Sequence, residues 1–387
     1  MGVGIDGLYF YTVSQEEVQA YERKLKSAKI SIKNTINDTN RKGLKGLDAL
    51  LSAFSRLSES GFTIVGEESL RKEMKDLDYK LKDVEDLAGD ERAYQDTTGT
   101  YDLGIFISAA INNVVKPGEK VYIKSPRPID NLFYGLRNAE GHVNAAGRSL
   151  GEGIVNSKIF AKTAGYEAGR EMINSEMHIY KAVFRLGFDS IGSKIYVYDA
   201  GDFLGQGANG CKIFAKKAGT GAGNSIKNSK LYIDKAGKWL ADYAKNSEIH
   251  FGAAGEEALK EIKNCNVYGK KAGADFGKYA FKSKIYVDEL GNNVGMGMEH
   301  SELHFKKLNG KLGWWYSEDA LSHNKAYKGK LPYILPNIKH GLEFMEYKTK
   351  ELLEKLNLEP RVNWAQFLFY LGPANKKQYG KVRFAGY

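Results

Sequence analysis

The sequence predicts a mainly β protein whose central part is a parallel β-helix of about eleven coils. The first observation is a repeat: eleven copies of one motif lie between Gly118 and Ser317, and from Asn138 onward they start every 18 residues. The second is the pattern of each copy, a polar pair and a charged residue followed by an apolar, an aromatic and an apolar residue. A short uninterrupted period is typical of solenoids, and 18 residues are too few for a helical hairpin, so each copy is predicted to be one coil.

Residues 1–100 are predicted to form a helical unit ahead of the coils. Ser14 and Glu17 have the spacing of a capping box, which predicts that a helix begins there and runs to about Ile36. A second helix is predicted over residues 43–59, and residues 61–65 are predicted to be a short strand or a linker.

A third helix is predicted from Glu67 to Leu87, because apolar residues recur there at alternating spacings of four and three. This seam is shorter than a coiled coil usually requires, so it predicts either an intramolecular helical hairpin or a dimer contact. Its members are Leu70, Met74, Leu77, Leu81 and Val84.

Residues 101–317 are predicted to form the β-helix domain. Because side chains alternate along a strand, the fourth and sixth positions of each copy point the same way, into the core. These positions hold Ile159 and Ala161, Ile195 and Val197, Ile213 and Ala215, Leu231 and Ile233, Ile249 and Phe251, and Ile285 and Val287. An Ala-Gly pair at the ninth and tenth positions, often with a further Gly four residues later, predicts tight corners where backbones approach closely.

Two segments carry a resemblance to a known family. The stretch from Gly192 to Gly205 reads GSKIYVYDAGDFLG, and residues 103–111 ahead of the first coil read LGIFISAAI. Over about residues 100–317 the chain resembles the GXGXG-type β-helix that forms the carboxyl-terminal domain of the glutamate synthase large subunit, and it is similar to the C subunit of formylmethanofuran dehydrogenase. The resemblance implies a right-handed β-helix that serves as a structural module, and it implies no catalytic residue or cofactor.

The enzymatic domains of that family have no counterpart in this sequence. Residue 2 is Gly, where an amidotransferase carries its nucleophilic Cys, and two cysteines are too few to ligate an iron–sulfur cluster. Those two, Cys211 and Cys265, occupy a slot that Ser fills in most copies, and they lie three coils apart. At about 4.8 Å per coil they are too distant for a disulfide, so both are predicted to be small buried residues.

Residues 318–387 are predicted to form a C-terminal extension. Trp314 to Tyr316 are predicted to plug the apolar end of the solenoid, residues 332–336 to form an extended connector, and residues 343–358 to form an amphipathic helix. The last segment interleaves aromatic and basic side chains, which suits either stacking and phosphate contact with RNA or docking back onto the solenoid. The candidate nucleic-acid-binding residues here are Lys376, Lys377, Lys381, Arg383, Phe384 and Tyr387.

Composition restricts the class of protein. The hydrophobic content of 42% and charged content of 27% are globular values, and no run of about 18 apolar residues predicts a membrane span. The amino terminus lacks the basic start and apolar core of a secretion signal, which predicts a cytoplasmic protein. The net charge of +10 favours a polyanionic partner.

The fifth position of each copy points outward and is always an aromatic ring or an imidazole. Such a face is predicted either to be covered by protein, from the helices, the tail or a second copy, or to stack nucleic-acid bases. Because histidines never occupy consecutive coils, neighbouring rungs supply no metal cage. The ladder consists of Tyr122, His142, Phe160, His178, Tyr196, Phe214, Tyr232, His250, Tyr268, Tyr286 and His304.

Basic residues follow the ladder at the seventh and eighth positions, interrupted by Asp199, Asp234, Asp288 and Glu289. This lysine stripe is predicted to be either a solvated face that prevents edge association or a track for a phosphate backbone. Its members are Lys162, Lys181, Lys216, Lys217, Lys235, Lys270, Lys271, Lys306 and Lys307.

No catalytic constellation is found in the sequence, and a GxGxxG match at residues 205–210 lies inside the repeat with no crossover helix after it. The predicted function is a non-enzymatic, homodimeric scaffold that docks a basic surface on a ribonucleoprotein particle such as a ribosomal subunit, in translation regulation or assembly. An accessory subunit of a glutamate synthase-like or formylmethanofuran dehydrogenase-like complex is the alternative. An acidic protein partner is a third hypothesis that charge alone does not separate from RNA.

Overall fold

One parallel sheet of 12 strands dominates the computed structural model, which describes residues 4–5, 8–9, 14–60, 62–95, 100–313 and 325–328. The repeat supplies one strand per copy, and the eleven strands form a parallel β-solenoid of about ten turns, as predicted. These strands are β3 Lys120–Ile123, β4 Glu140–Ala145, β5 Lys158–Tyr166, β6 Glu176–Phe184, β7 Lys194–Asp202, β8 Lys212–Ala218, β9 Lys230–Ala236, β10 Glu248–Ala254, β11 Asn266–Ala272, β12 Lys284–Leu290 and β13 Glu302–Leu308.

The register between coils follows the repeat without a slip. Ile195 pairs with Ile213, and Ile213 pairs with Leu231, each one coil apart. The predicted inward positions are the core: Ile213 is 0% and Ala215 is 1% exposed. The inward and outward faces of each strand are therefore those that the period-2 pattern predicted.

The glycines of the corners act in two different ways. Gly201 has an ordinary backbone angle, but a Cβ atom there would lie 1.6 Å from the carbonyl oxygen of Val183 in the preceding coil. Gly205 has a φ of +64°, the left-handed region that glycine reaches at little cost. The predicted close approach of backbones is confirmed at Gly201, and the tight corner at Gly205 is made with a positive φ.

A second column of hydrogen bonds runs inside the corner before each strand. The Oγ atom of Ser229 accepts a bond from the Cys211 N–H at 3.0 Å, and the Cys211 Sγ accepts one from the Ser193 N–H at 3.4 Å. Both cysteines are buried free thiols, as predicted, and burial raises the pKa of each. A thiol with a raised pKa is a poor nucleophile, so these residues serve packing.

Five α-helices precede the solenoid in the described chain: α1 Gln15–Arg41, α2 Gly46–Ser58, α3 Gly66–Met74, α4 Leu81–Gly89 and α5 Tyr101–Val114. The predicted capping box is present, because the Ser14 N–H donates to Glu17 Oε2 and the Glu17 N–H donates to Ser14 Oγ. Two short 3₁₀ helices span Phe62–Val65 and Glu91–Tyr94. Of the two alternatives predicted for residues 61–65, a short strand or a linker, the strand is therefore not formed at residues 62–65. A small antiparallel pair, β1 Gly4–Ile5 and β2 Leu8–Tyr9, lies at the amino terminus.

The single helix predicted from Glu67 to Leu87 is wrong. The chain leaves the helix after Met74 and re-enters one at Leu81, because backbone carbonyls in between have other partners. The Asn40 side chain donates to the carbonyl of Asp76 at 3.0 Å, and the Gly46 N–H donates to that of Asp78 at 2.7 Å.

The predicted seam is therefore interior to the helical unit. Leu70, Met74 and Val84 are 0% exposed, Leu77 is 6% exposed, and Leu81 is partly buried against the same core. These side chains pack within the chain, which supports intramolecular packing rather than a dimer contact.

Further secondary structure adjoins both ends of the coil stack. At the amino end, α5 is buried from Leu103 to Ile111 and connects to the first coil, where Ser108 Oγ donates to the carbonyl of Asn131 at 2.9 Å. At the other end, strand β14 Lys325–Lys328 pairs in parallel with β13, and Tyr327 is the register partner of His304. Its sequence repeats the lysine and tyrosine spacing of the coils, a signal that sequence analysis missed.

The other predictions for the carboxyl-terminal part concern residues that the structure does not describe. They are the Trp314 to Tyr316 plug, the connector over 332–336, the helix over 343–358 and the basic aromatic tail. In the described part of the chain, no helix combines the length and apolar character needed to cross a bilayer.

Candidate functional site

The rings at the fifth positions form one continuous stack along the solenoid. Neighbouring ring centroids lie 4.6 to 5.6 Å apart, with interplanar angles between 4° and 20°. This spacing follows that of parallel strands, about 4.8 Å, and lies within the usual range for aromatic pairs. Each inner ring has both faces against its neighbours.

The stack decides between the two predictions for this face. A base needs an open ring face, and the inner rungs offer only ring edges, so the described ladder is not a stacking platform for nucleic acid. The rings of the ladder cover one another's faces. Phe160 is buried, and the remaining predicted packing residues are half-buried: Tyr196, Phe214, Tyr232, Tyr268 and Tyr286.

Each histidine of the stack is bonded to a glutamate two residues earlier on its own strand. The distances from Nε2 to the carboxylate are 2.6 Å for His142 and Glu140, 2.6 Å for His178 and Glu176, 2.5 Å for His250 and Glu248, and 3.4 Å for His304 and Glu302. In the strands whose ring is Tyr or Phe, the same third position is Lys or, once, Asn266. This association of Glu with His is visible in the sequence but was not predicted.

Lysines of the preceding coil complete the glutamate sites. Lys230 Nζ lies 2.8 Å from Glu248, and Lys120 Nζ lies 3.2 Å from Glu140. Burial works to raise the pKa of Glu248, but hydrogen bonds from Lys230 and His250 outweigh it, so that the pKa lies below its usual range. Burial lowers the pKa of His250 despite the carboxylate beside it.

The histidine pairs offer no open site for chemistry. The side chains of His142, His178 and His250 are between 0% and 5% exposed, and rings cover both faces of each. Within the described ranges, no group of three or more His, Cys, Asp or Glu side chains is placed to hold a metal ion. The ladder therefore acts on the stability of the coil stack.

The predicted lysine stripe lies on the surface and is nearly neutral in its middle coils, although over its whole length it holds nine lysines and four acids. Over the six coils whose seventh and eighth positions run from Tyr198 to Glu289, it holds five lysines and four acids. Lys216 lies 2.5 Å from Asp234, and Lys306 lies 2.6 Å from Asp288. The other members are exposed: Lys162, Lys181, Lys217, Lys235, Lys270, Lys271 and Lys307.

A different corner of the same six coils holds the concentrated charge. We call it the lysine corner: residues 191–194, 209–212, 227–230, 245–248, 263–266 and 281–284, where each coil enters its strand. It contains eight exposed lysines and a single acid, Glu248. The lysines are Lys194, Lys212, Lys227, Lys230, Lys245, Lys263, Lys282 and Lys284.

These lysines form columns in which like charges face one another. Lys227, Lys245 and Lys263 are joined by consecutive parallel bridges, and Lys194, Lys212 and Lys230 are consecutive register partners. Among the eight, and within the part of the chain that the structure describes, only Lys230 forms an ion pair. Like charges directly opposite each other on a sheet destabilise it, so an anionic partner would relieve repulsion here.

An asparagine directly follows each of Lys227, Lys245 and Lys263. Asn228, Asn246 and Asn264 have φ values of 49°, 50° and 53°, which asparagine tolerates better than most residues. The amide of Asn264 donates to Asn246 at 3.2 Å, and that of Asn246 donates to Asn228 at 3.4 Å. These hydrogen bonds between asparagine side chains link neighbouring coils at the corner that contains the lysines.

The candidate residues of the tail, Lys376 to Tyr387, lie outside the described residues. The homodimer expected from the seam and the ladder stays a prediction, and both surfaces have partners within the chain. Comparison of the chain with protein-family models, curated proteins and solved structures finds no match.

Proposed function

We propose that this protein is a non-enzymatic cytoplasmic scaffold that binds an RNA-containing particle, such as a ribosomal subunit, through the lysine corner. The observation that carries the proposal is the separation of charge around the coil. Eight exposed lysines and one glutamate share the corner, whereas the stripe on the same coils holds five lysines against four acids. A local surplus of this kind creates the potential that attracts a polyanion.

A scaffolding role agrees with the packing of the coils. Each coil contacts its neighbours through a buried apolar column and a ring stack, so the solenoid is a stiff rod with a fixed surface pattern. The four histidines of the stack, which could otherwise perform acid–base chemistry, are each bonded to a glutamate of the same strand.

The composition of the corner favours RNA over an acidic protein. Apart from Ile191, which is 51% exposed, the exposed side chains of the corner are Lys and Asn, and Glu248 and Phe281 are half-buried. Protein interfaces usually have an apolar, aromatic-rich centre, whereas interfaces with nucleic acid are more polar and more positively charged.

Purification of the tagged full chain from its own cells at low ionic strength tests the proposal. We expect an absorbance ratio that indicates nucleic acid, RNA that ribonuclease releases, and ribosomal proteins identified by mass spectrometry. Co-purification of flavoprotein or iron–sulfur subunits without RNA would overturn it in favour of the accessory-subunit function.

A further inference from the structure

We infer that the lysine corner holds an RNA strand along the solenoid axis by its phosphates alone, without stacking or base readout. This inference rests on the proposed function and assigns its interface and its mode of recognition. Three observations support it. The lysines of each column are in register, like charges within a column face one another, and the aromatic rings of the ladder stack on each other.

The columns run along the axis of the coil stack. Lys227, Lys245 and Lys263 occupy the same position of consecutive coils. A second column of Lys194, Lys212 and Lys230 lies three residues further along the repeat, and the two columns overlap at the coil of Lys227 and Lys230. With about 4.8 Å between coils, the six coils of the corner extend over roughly 24 Å. A flexible phosphate chain can follow such a track, since it carries one charge per nucleotide.

The track offers little that could distinguish one base from another. Sequence-tolerant stacking needs exposed ring faces, and the inner rings of the ladder face each other. The asparagine amides next to Lys227, Lys245 and Lys263 bond to one another, from Asn264 to Asn246 and on to Asn228. Counterion release from phosphates is then the main source of affinity.

Two charge-matched triple variants of the full chain test the inference. The corner variant is Lys227→Gln, Lys245→Gln, Lys263→Gln, and the control is Lys217→Gln, Lys235→Gln, Lys271→Gln on the stripe. All six lysines are exposed, and the two sets lie on overlapping stretches of the solenoid. The probes are fluorescent 20-nucleotide oligouridylate and oligoadenylate, titrated at several salt concentrations.

We expect the corner variant to bind oligouridylate at least tenfold more weakly than the parent at low salt, and the control to change less than threefold. The slope of log affinity against log salt should fall by about 2 in the corner variant, since a single strand releases about 0.7 ion per phosphate contact. The parent should bind the two oligonucleotides equally within a few-fold. The corner variant should melt at or slightly above the parent temperature, because repulsion is removed.

The possible failures are distinguishable. Equal or greater loss in the control would overturn the corner as the interface and leave RNA binding standing. Much tighter binding of oligoadenylate, the better stacker, would overturn recognition by phosphates alone. A parent that binds neither probe at low salt would remove the proposed function as well.

Discussion

Nε2 of His250 lies 2.5 Å from a carboxylate oxygen of Glu248, and the imidazole lies between the rings of Tyr232 and Tyr268. Glutamate at the third position and histidine at the fifth occur together in four coils, and neither occurs there without the other. The two residues therefore form one unit, which replaces the lysine and tyrosine or phenylalanine of most other coils.

A double-mutant cycle on this pair should show strong coupling. Glu248→Lys leaves a buried imidazole beside an ammonium group, and His250→Tyr removes a charge-assisted bond, so each is expected to cost about 1–3 kcal/mol. The double variant recreates the lysine and tyrosine arrangement of Lys230 and Tyr232, and we expect a coupling energy of about 1 kcal/mol or more. Urea unfolding gives the free energy of unfolding of all four proteins. If the effects of the two single substitutions simply add in the double variant, the two residues do not act as one unit.

The same pair predicts a dependence of stability on pH. The pKa of His250 in the folded protein is lowered from 6.5 by burial, so its stabilising contribution is complete above pH 6.5 and is lost as the pH falls below it. Glu248, whose pKa is also lowered, adds a loss that begins below 4.5. The parent should lose more stability than the Glu248→Lys, His250→Tyr variant between pH 7.5 and pH 5.5. Parallel loss in both proteins would argue against a contribution from His250.

Asp242 is expected to make the protein less stable as the pH rises, the opposite of the effect of His250. This side chain is 4% exposed, and burial raises its pKa from 3.8 to about 7, although it accepts the Lys260 N–H at 2.9 Å. Stability is therefore lost as the pH rises between these values, because ionisation is less favourable in the folded protein. Asp242→Asn keeps an acceptor oxygen and should raise the free energy of unfolding at pH 8 by about 2 kcal/mol or more, and by less at pH 5.

A matched control for Asp242 lies earlier in the solenoid. Asp202 is exposed and accepts the Thr220 N–H at 2.7 Å, the same bond to the next coil. Asp202→Asn should change stability by less than about 0.5 kcal/mol at either pH. Equal effects of the two substitutions would show that burial is not the cause.

The contact between Phe251 and Gly269 predicts that a substitution at one residue can compensate for a substitution at the other. They are register partners at the inward sixth position, and a Cβ atom on Gly269 would lie 2.1 Å from the ring of Phe251. Gly269→Ala should cost about 1–3 kcal/mol through overpacking. The cost should shrink in a Phe251→Val background, where the space is free, and an unchanged cost in that background would contradict a steric origin.

Neighbouring residues test the assignment of the two strand faces. Ile213→Asp buries an unpaired carboxylate between coils and should cost several kcal/mol, on the order of 3 or more, while Lys212→Asp on the exposed face should cost little. Thermal melting compares the two variants directly. Similar melting temperatures would show that the faces are assigned wrongly.

The sequence by itself determined the coils, their register and their core. In a solenoid each residue packs against the residue one repeat away, so the 18-residue period alone predicts which residues contact Ile213 or Cys211. The period also carried the glutamate and histidine pairs, which the third and fifth positions of the repeat show when they are compared with each other.

Only the tertiary structure decided what covers the outward rings, where the helix after Glu67 breaks and which corner is basic. Period-2 alternation gives the direction in which a side chain points but not what it contacts. The ladder was therefore predicted to be covered by other protein or to stack bases, whereas its rings stack on one another. The break between α3 and α4 depends on carbonyl partners more than 30 residues away in sequence. The lysine corner was not predicted, because Lys227, Lys245 and Lys263 lie outside the strands and only the bridges between consecutive coils place them in one column.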